Sequence, residues 1–398
     1  MLLNRFLKYV KIDTQSDEKS SSTPSTEKQY DLLRLLQKEL TDLGVKNELD
    51  QYGRLYGWLD GNNEYPRIGL CAHVDTADEA SGTNVNPTVI EKYKGGDIKL
   101  GETDLYLRPT EFKKLEECFN KTLIVTDGTT LLGADDKAGV SIVMETIEKY
   151  RKLPVDKRYP LSVLFTPDEE VGRGAEHFDA QKYGAKFAYT IDGNTPKLAN
   201  IENFNAKSCD VNITGKAIHP GYAKGVMVNA ARVLADFLSY LPKKKVPEKT
   251  EKRQGYINIG EMQGSCEHAY AHLTIRDHDQ AKIERLVDQI AIAKYKTAKR
   301  HPNAVIDVEV KDSYRNMIEI IEKYPECKQH LEKAYEKLGL PLEYDPIRGG
   351  TDGANFSFEG VPCPNLGTGS YNHHGRYEFA VLEEMELMVQ ICTELLTI

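Results

Sequence analysis

The stretch IGLCAHVDT, residues 68–76, decides how the chain is read. Residues 68–72 run without a charged interruption, and His73 and Asp75 follow at once. A short apolar run of this kind fits a strand buried on both faces, as in a parallel or mixed sheet covered by helices. The polar residues after it mark the strand's carboxyl end. In open α/β sheets, ligands bind in the crevice outside those ends.

Moving outward, the same layout recurs. Residues 161–165 lead through Thr166 and Pro167 to Asp168, Glu169 and Glu170, and residues 187–191 lead to Asp192 and Gly193. Asp135 and Asp136 precede a helix that starts near Lys137 and shows Val140, Val143, Met144 and Ile147 on one face. Near the C-terminus, Asn372, His373, His374 and Gly375 add two imidazoles.

Between about 207 and 311 the texture changes. Cys209, Val211 and Ile213 alternate with Asp210, Asn212 and Thr214, the pattern of a strand with one wet face. A helix carrying Ala230, Val233, Leu234, Phe237, Leu238 and Leu241 follows, then strands near 255–262 and 268–276. Asp279 caps a second helix with Ile283, Leu286, Val287 and Ile290. A last strand alternates Ile306, Val308 and Val310 with Asp307 and Glu309. The order βαββαβ predicts a ferredoxin-like sandwich. The first texture returns from about 312. The expected fold class is therefore α/β: a mixed sheet flanked by helices, built from residues 1–206 and 312–398, with an inserted ferredoxin-like domain at 207–311.

The bulk properties narrow the function. Of 398 residues, 40% are hydrophobic and 28% charged, ordinary for a globular protein, and the net charge of −9 argues against nucleic acid or an anionic membrane as partner. No apolar run nears the roughly 18–20 residues that cross a bilayer. The opening MLLNRFLKYVKIDT is broken by Arg5, Lys8 and Lys11, which suits an amphipathic helix better than a signal peptide. The seven cysteines contain no Cys-x-x-Cys pair, so neither a disulfide framework nor a thiolate metal site is expected. A cytoplasmic setting fits.

A lone His-x-Asp is usually structural, and adjacent acids usually lie on a solvated surface or at a helix N-terminus. Here five such segments follow buried strands or open a buried helix, where like-charged acids are costly without a cation. Imidazole and carboxylate donors without thiolate suit zinc or a neighbouring divalent metal. Two ions about 3.5–4 Å apart need a bridging carboxylate, terminal ligands on either side and a water between, and this set supplies them.

The segments CAHVDT (71–76), LLGADDKAGV (131–140), FTPDEEVGRGA (165–175), TIDG (190–193), TGKAIHPGYAKG (214–225), IRDH (275–278), RGGTDGANFSFEGVP (348–362) and NHHGRYEF (372–379) carry a resemblance. In this order the chain resembles the aminoacylase and carboxypeptidase type of co-catalytic zinc metallopeptidases, most closely their tripeptide-aminopeptidase branch. The resemblance implies two zinc ions. His73 and Asp192 would hold one, Glu170 and His374 the other, and Asp135 would bridge them, followed by a cis bond to Asp136. Asp75 would accept a hydrogen bond from the far ring nitrogen of His73 and fix its tautomer. Glu169 would be the general base. His219 matches a histidine that helps stabilise the oxyanion in relatives, sometimes from a partner subunit. Arg276 and Arg348 would bind a peptide carboxylate or else form structural ion pairs, and Asn355 would bind the peptide backbone.

Short peptides, tripeptides above all, are the implied substrates, with a homodimer left open. A dipeptidase or a deacylase of N-acyl amino acids is the alternative within the family. A non-catalytic metal-dependent binding protein need not keep Asp75 and Glu169, and both are present. Closure of the inserted domain about hinges near 205–208 and 311–314, bringing in His219, is the expected motion.

Overall fold

The strand Ile68–His73 is buried along its whole length in the computed structural model, which describes residues 1–398. It lies between the parallel strands Leu161–Thr166 and Phe187–Gly193, and a helix packs on its face. Asn365–Gly367 continues the parallel set beside Phe187–Gly193. Leu55–Leu59 and Lys46–Leu49 add antiparallel strands at one edge, and Leu198–Asn200 and Glu343–Tyr344 finish the other. The result is an eight-stranded mixed sheet, as the uninterrupted runs imply.

The helix Ala134–Tyr150 packs on the central strands and is itself covered by Leu2–Tyr9 and Leu382–Leu395. Protein on several sides explains why it is buried almost all round rather than on a single stripe. Asp135 and Asp136 have non-helical dihedrals and the bond between them is cis, so the regular turns begin near Lys137. A further four-stranded antiparallel sheet of Ser370–Tyr371, Phe379–Val381, Leu123–Val125 and Thr88–Ile90 was not visible in the sequence, because its strands are only two or three residues long. No helix is long and apolar enough to cross a membrane.

The chain divides into two compact units. The first comprises Met1–Ile201, Met317–Asp345 and Thr351–Ile398; the second comprises Glu202–Asn316 and Pro346–Gly350. In the second, four antiparallel strands run in the order Tyr256–Gly264, His268–Asp277, Asn205–Thr214, Val305–Tyr314. Helices Ala230–Ser239 and Gln280–Arg300 cover one face of them, with Val211, Phe237, Leu273 and Ile290 in the core. This is the ferredoxin-like order.

Its boundaries differ from 207 and 311. Backbone pairing runs on from Asn205↔Asp277 at one end to Ala206↔Tyr314 at the other, past the point where the apolar alternation fades. The segment Pro346–Gly350 also belongs here: Ile347 N–H donates to Glu202 O at 2.9 Å, and the Arg348 guanidinium donates to Gln254 O at 3.1 Å.

Candidate metal centre

His73 is the last residue of the central strand, and Asp192 sits near the end of the parallel neighbour Phe187–Gly193. Asp135 comes from the turn that opens helix Ala134–Tyr150. Glu169 and Glu170 follow strand Leu161–Thr166, and His374 lies between strands Ser370–Tyr371 and Phe379–Val381 with a left-handed φ of 62°. Segments far apart in sequence thus meet at the carboxyl ends of the central strands.

Asp135 stands at the middle. Its Oδ1 lies 3.1 Å from His73 Nε2, and its Oδ2 lies 3.5 Å from His374 Nε2. Asp192 Oδ1 is 3.5 Å from the same His73 nitrogen, and Glu170 Oε2 is 2.9 Å from the same His374 nitrogen. The five expected ligands therefore fall into two groups joined by one carboxylate. Within 4.8 Å of one another lie donor atoms of His73, Asp135 and Glu170, and of His73, Asp136 and Asp192. Asp136 is otherwise engaged: its oxygens accept the backbone N–H of His73 at 3.2 Å and of Gly139 at 3.1 Å.

The supporting residues explain why these side chains point as they do. Asp75 Oδ1 is 3.3 Å from His73 Nδ1, but its hydrogen bonds come from the N–H groups of Glu169 and Glu170 at 3.0 and 3.1 Å. It therefore braces the Glu169–Glu170 backbone as well as neighbouring the imidazole. Asp168, with a left-handed φ of 59°, accepts Gln29 Nε2 at 2.7 Å and Ser25 N–H, while its own N–H donates to Gln29 Oε1 at 3.1 Å. His373 reaches Asp135 Oδ2 through Nδ1 at 3.1 Å and pairs with Ser370 Oγ through Nε2 at 2.9 Å. Thr166 Oγ1 donates to buried Asp352 at 2.8 Å.

The electrostatics ask for a cation. Burial, reinforced by neighbouring carboxylates, pushes the Glu169 carboxyl well above its usual range, raises that of Asp192, and drives those of Glu170 and Asp352 up to about 7. Asp135 goes the other way: against its burial, the three histidines around it hold its carboxyl well below the usual range. The Glu170 side chain is only 6% exposed, and its Oε1 has no hydrogen-bond partner. An orphaned carboxylate oxygen among clustered acids and imidazoles, without thiolate, fits a divalent metal.

The other expected residues lie elsewhere. His219 is exposed in the second unit, where its Nδ1 accepts Gly221 N–H at 3.1 Å. Arg276 donates to Lys207 O and Ile275 O at 3.2 and 3.1 Å and stacks on Tyr314. Arg348 binds Thr250 Oγ1 and Gln254 O and lies over Phe204 and Tyr256. Both arginines bond to backbone carbonyls in their own unit, a use that neither expected role included. Asn355 is half-buried on helix Asp352–Phe358 of the first unit. Residues to which the sequence assigned no supporting role are Gln29, Ser25, Asp136, Asp168, Asp352, His373 and Glu378. Five of them stand inside the quoted motifs, but Gln29 and Ser25 come from a polar loop and an ordinary helix that give no signal.

Comparison with known proteins agrees with this geometry. The family model described as "Peptidase family M20/M25/M40" matches residues 125–397. The chain belongs to that peptidase family. Peptidase T of Salmonella schwarzengrund (strain CVM19633) is 45% identical over 394 residues, 98% of this chain and 96% of the relative. Among solved structures, aminopeptidase PepT from Bacillus cereus superposes with a TM-score of 0.74 at 24% identity, covering 99% of this chain and 97% of that one. A tripeptidase from Staphylococcus aureus does so with a TM-score of 0.76 at 23% identity, covering 99% and 96%. These structures show the shared fold. With that family and a full-length match to Peptidase T at 45% identity, this chain is a hydrolase, an aminopeptidase of the metallopeptidase class.

Proposed function

We propose that the chain hydrolyses tripeptides at a pair of zinc ions and releases the N-terminal residue. The observation that carries this reading is Asp135, whose two oxygens face His73 and His374 separately while Glu170 Oε1 lies buried and unpaired. His73 and Asp192 would hold one ion, Glu170 and His374 the other, and Asp135 both. When bound, such a pair lowers the pKa of water to about 7 and polarises the scissile carbonyl.

The chain's own groups do the rest. Glu169, raised by burial and held by the bond from its N–H to Asp75, takes a proton on its carboxylate and returns it to the leaving amine. Asp75 fixes the 169–170 backbone, so that one glutamate faces the substrate and the other His374. The family resemblance makes His219 the candidate donor to the oxyanion, Arg276 and Arg348 the candidates for the peptide carboxylate, and Asn355 the candidate for its backbone. The seven unpaired cysteines suit a reducing cytoplasm.

The test is a panel of di-, tri- and tetrapeptides with free and blocked N-termini, assayed with zinc-loaded enzyme. Tripeptides with a free amine should give the highest kcat/KM. Faster hydrolysis of dipeptides or of N-acyl amino acids would replace this reading with the dipeptidase or the deacylase.

A further inference from the structure

Glu378 has no role in the chemistry above, yet it is 1% exposed and lies four residues past His374. Its carboxylate meets the loop in front of helix Ala134–Tyr150 at three backbone groups. Leu132 and Gly133 donate to Oε2 at 2.8 and 2.7 Å, and Asp135 donates to Oε1 at 2.9 Å. The loop that carries His374 is itself closed, by Glu378 N–H on Gly375 O at 3.2 Å and by Asn372 Nδ2 on Tyr377 O at 3.0 Å. One side chain therefore ties the segment bearing Asp135 to the segment bearing His374.

We propose that Glu378 is a positioning residue that sets the Asp135 carboxylate between the two histidines. The proposal rests on Asp135 being the shared ligand. Asp135 can serve both sides only while its oxygens stay 3.1 and 3.5 Å from His73 and His374. Its backbone has non-helical dihedrals, so no ladder of helical hydrogen bonds fixes that position. The N–H of Asp135 is instead fixed by Glu378 Oε1. The requirement is chemical: three donors need an acceptor at both oxygens, which a carboxylate provides and a carboxamide does not. In Glu378→Gln, the amide NH2 faces a backbone N–H whichever way it turns. Either Asp135 or the Leu132–Gly133 pair then loses its acceptor. A carboxylate that only stabilised the fold would lower stability and leave the metal affinity of the folded protein untouched.

The full-length wild type, Glu378→Gln, Glu378→Asp and Asp135→Asn are stripped of metal, and zinc is titrated against a chromophoric chelator. The metal-free Tm is measured alongside. Glu378→Gln should bind zinc about 10–100-fold more weakly, and its metal-free Tm should fall with the lost acceptor. Its kcat should fall while KM holds. Glu378→Asp keeps both acceptor oxygens one methylene short and should recover part of the affinity. Wild-type affinity in Glu378→Gln overturns the proposal, whatever its Tm. If Glu378→Gln does not fold, Glu378→Asp decides: intermediate affinity supports the proposal and wild-type affinity overturns it. Wild type that binds no zinc, or Asp135→Asn that binds as well as wild type, sinks the metal assignment itself and the Glu378 role with it.

Discussion

The two units use the same residue types to different ends. In the second, His272 pairs with Asp210 at 2.8 Å and His301 with Asp236 at 2.6 Å, and all four side chains are 25–35% exposed. Each imidazole meets one acid beside water, an arrangement worth little on its own. In the first, His73 meets Asp75, Asp135 and Asp192 while 2% exposed, and Glu170 keeps a buried oxygen without any partner. The difference is excess. A His–Asp pair in solvent is complete, whereas buried carboxylates that outnumber their cations leave a charge to be supplied.

Glu169→Gln against Glu170→Gln puts the greatest strain on that comparison. The neighbours differ in what they face, and only Glu170 is held on His374. Glu169→Gln should keep its metal and lose about 10²–10⁴ in kcat, the usual cost of a missing general base. Glu170→Gln should release metal to a chelator that wild type resists. Metal analysis with the two patterns exchanged would reverse the roles.

Next comes a test of whether the units are energetically separate. Phe237 is fully buried in the core of the second unit, so Phe237→Ala should cost about 3–5 kcal/mol there. All five proposed ligands lie in the first unit. Zinc affinity should therefore hold while a low-temperature unfolding step appears in the melting curve. A parallel fall in affinity would mean that the site depends on both cores. His219→Ala is the milder intervention in the same unit. Its ring is exposed, with Gly221 N–H as its one hydrogen-bond donor, so stability and metal content should not change. A fall of about 10²–10³ in kcat is expected if it donates to the oxyanion. Unaltered turnover would remove it from the mechanism.

What could be read from the sequence follows the same division. The ligand-bearing strands declare themselves because burial on both faces forces an apolar run and the acids after it have no other reason to be there. The ferredoxin-like order could be read from alternation. The bracing of the site could not. Gln29 reaches Asp168 across 139 positions and Glu378 reaches Asp135 across 243, through contacts that no local period encodes. Pro346–Gly350 shows the same limit: five residues cross into the second unit with no change of texture to mark them.

The smallest expected effect concerns one histidine in each unit. His330 in the first donates through its ring to Leu395 O at 2.7 Å, between Tyr159 and Phe187. His278 in the second reaches Ile347 O at 3.1 Å and packs on Phe204. Burial holds both below the ordinary value of 6.5; Lys333 and Lys337 add to this for His330, while Glu202 and Asp277 partly oppose it for His278. The unfolded chain therefore binds more protons than the folded one just below pH 6.5. The stability that each neutral ring contributes is complete above that pH and is lost as pH falls through it. The buried carboxyls of the metal-free site pull the opposite way, since their raised folded values favour the folded chain as pH falls. The readout must then be a difference between variant and parent. The metal-free Tm of His278→Gln and of His330→Gln, each minus that of wild type, should rise as pH is lowered from 7.5 to 5.5. The rise should appear at both positions, since His278 is 7% exposed with a buried Nδ1 that has no partner and His330 is half-buried beside two lysines. A flat difference at both positions would mean that water reaches these rings and that neither core penalises the charged form.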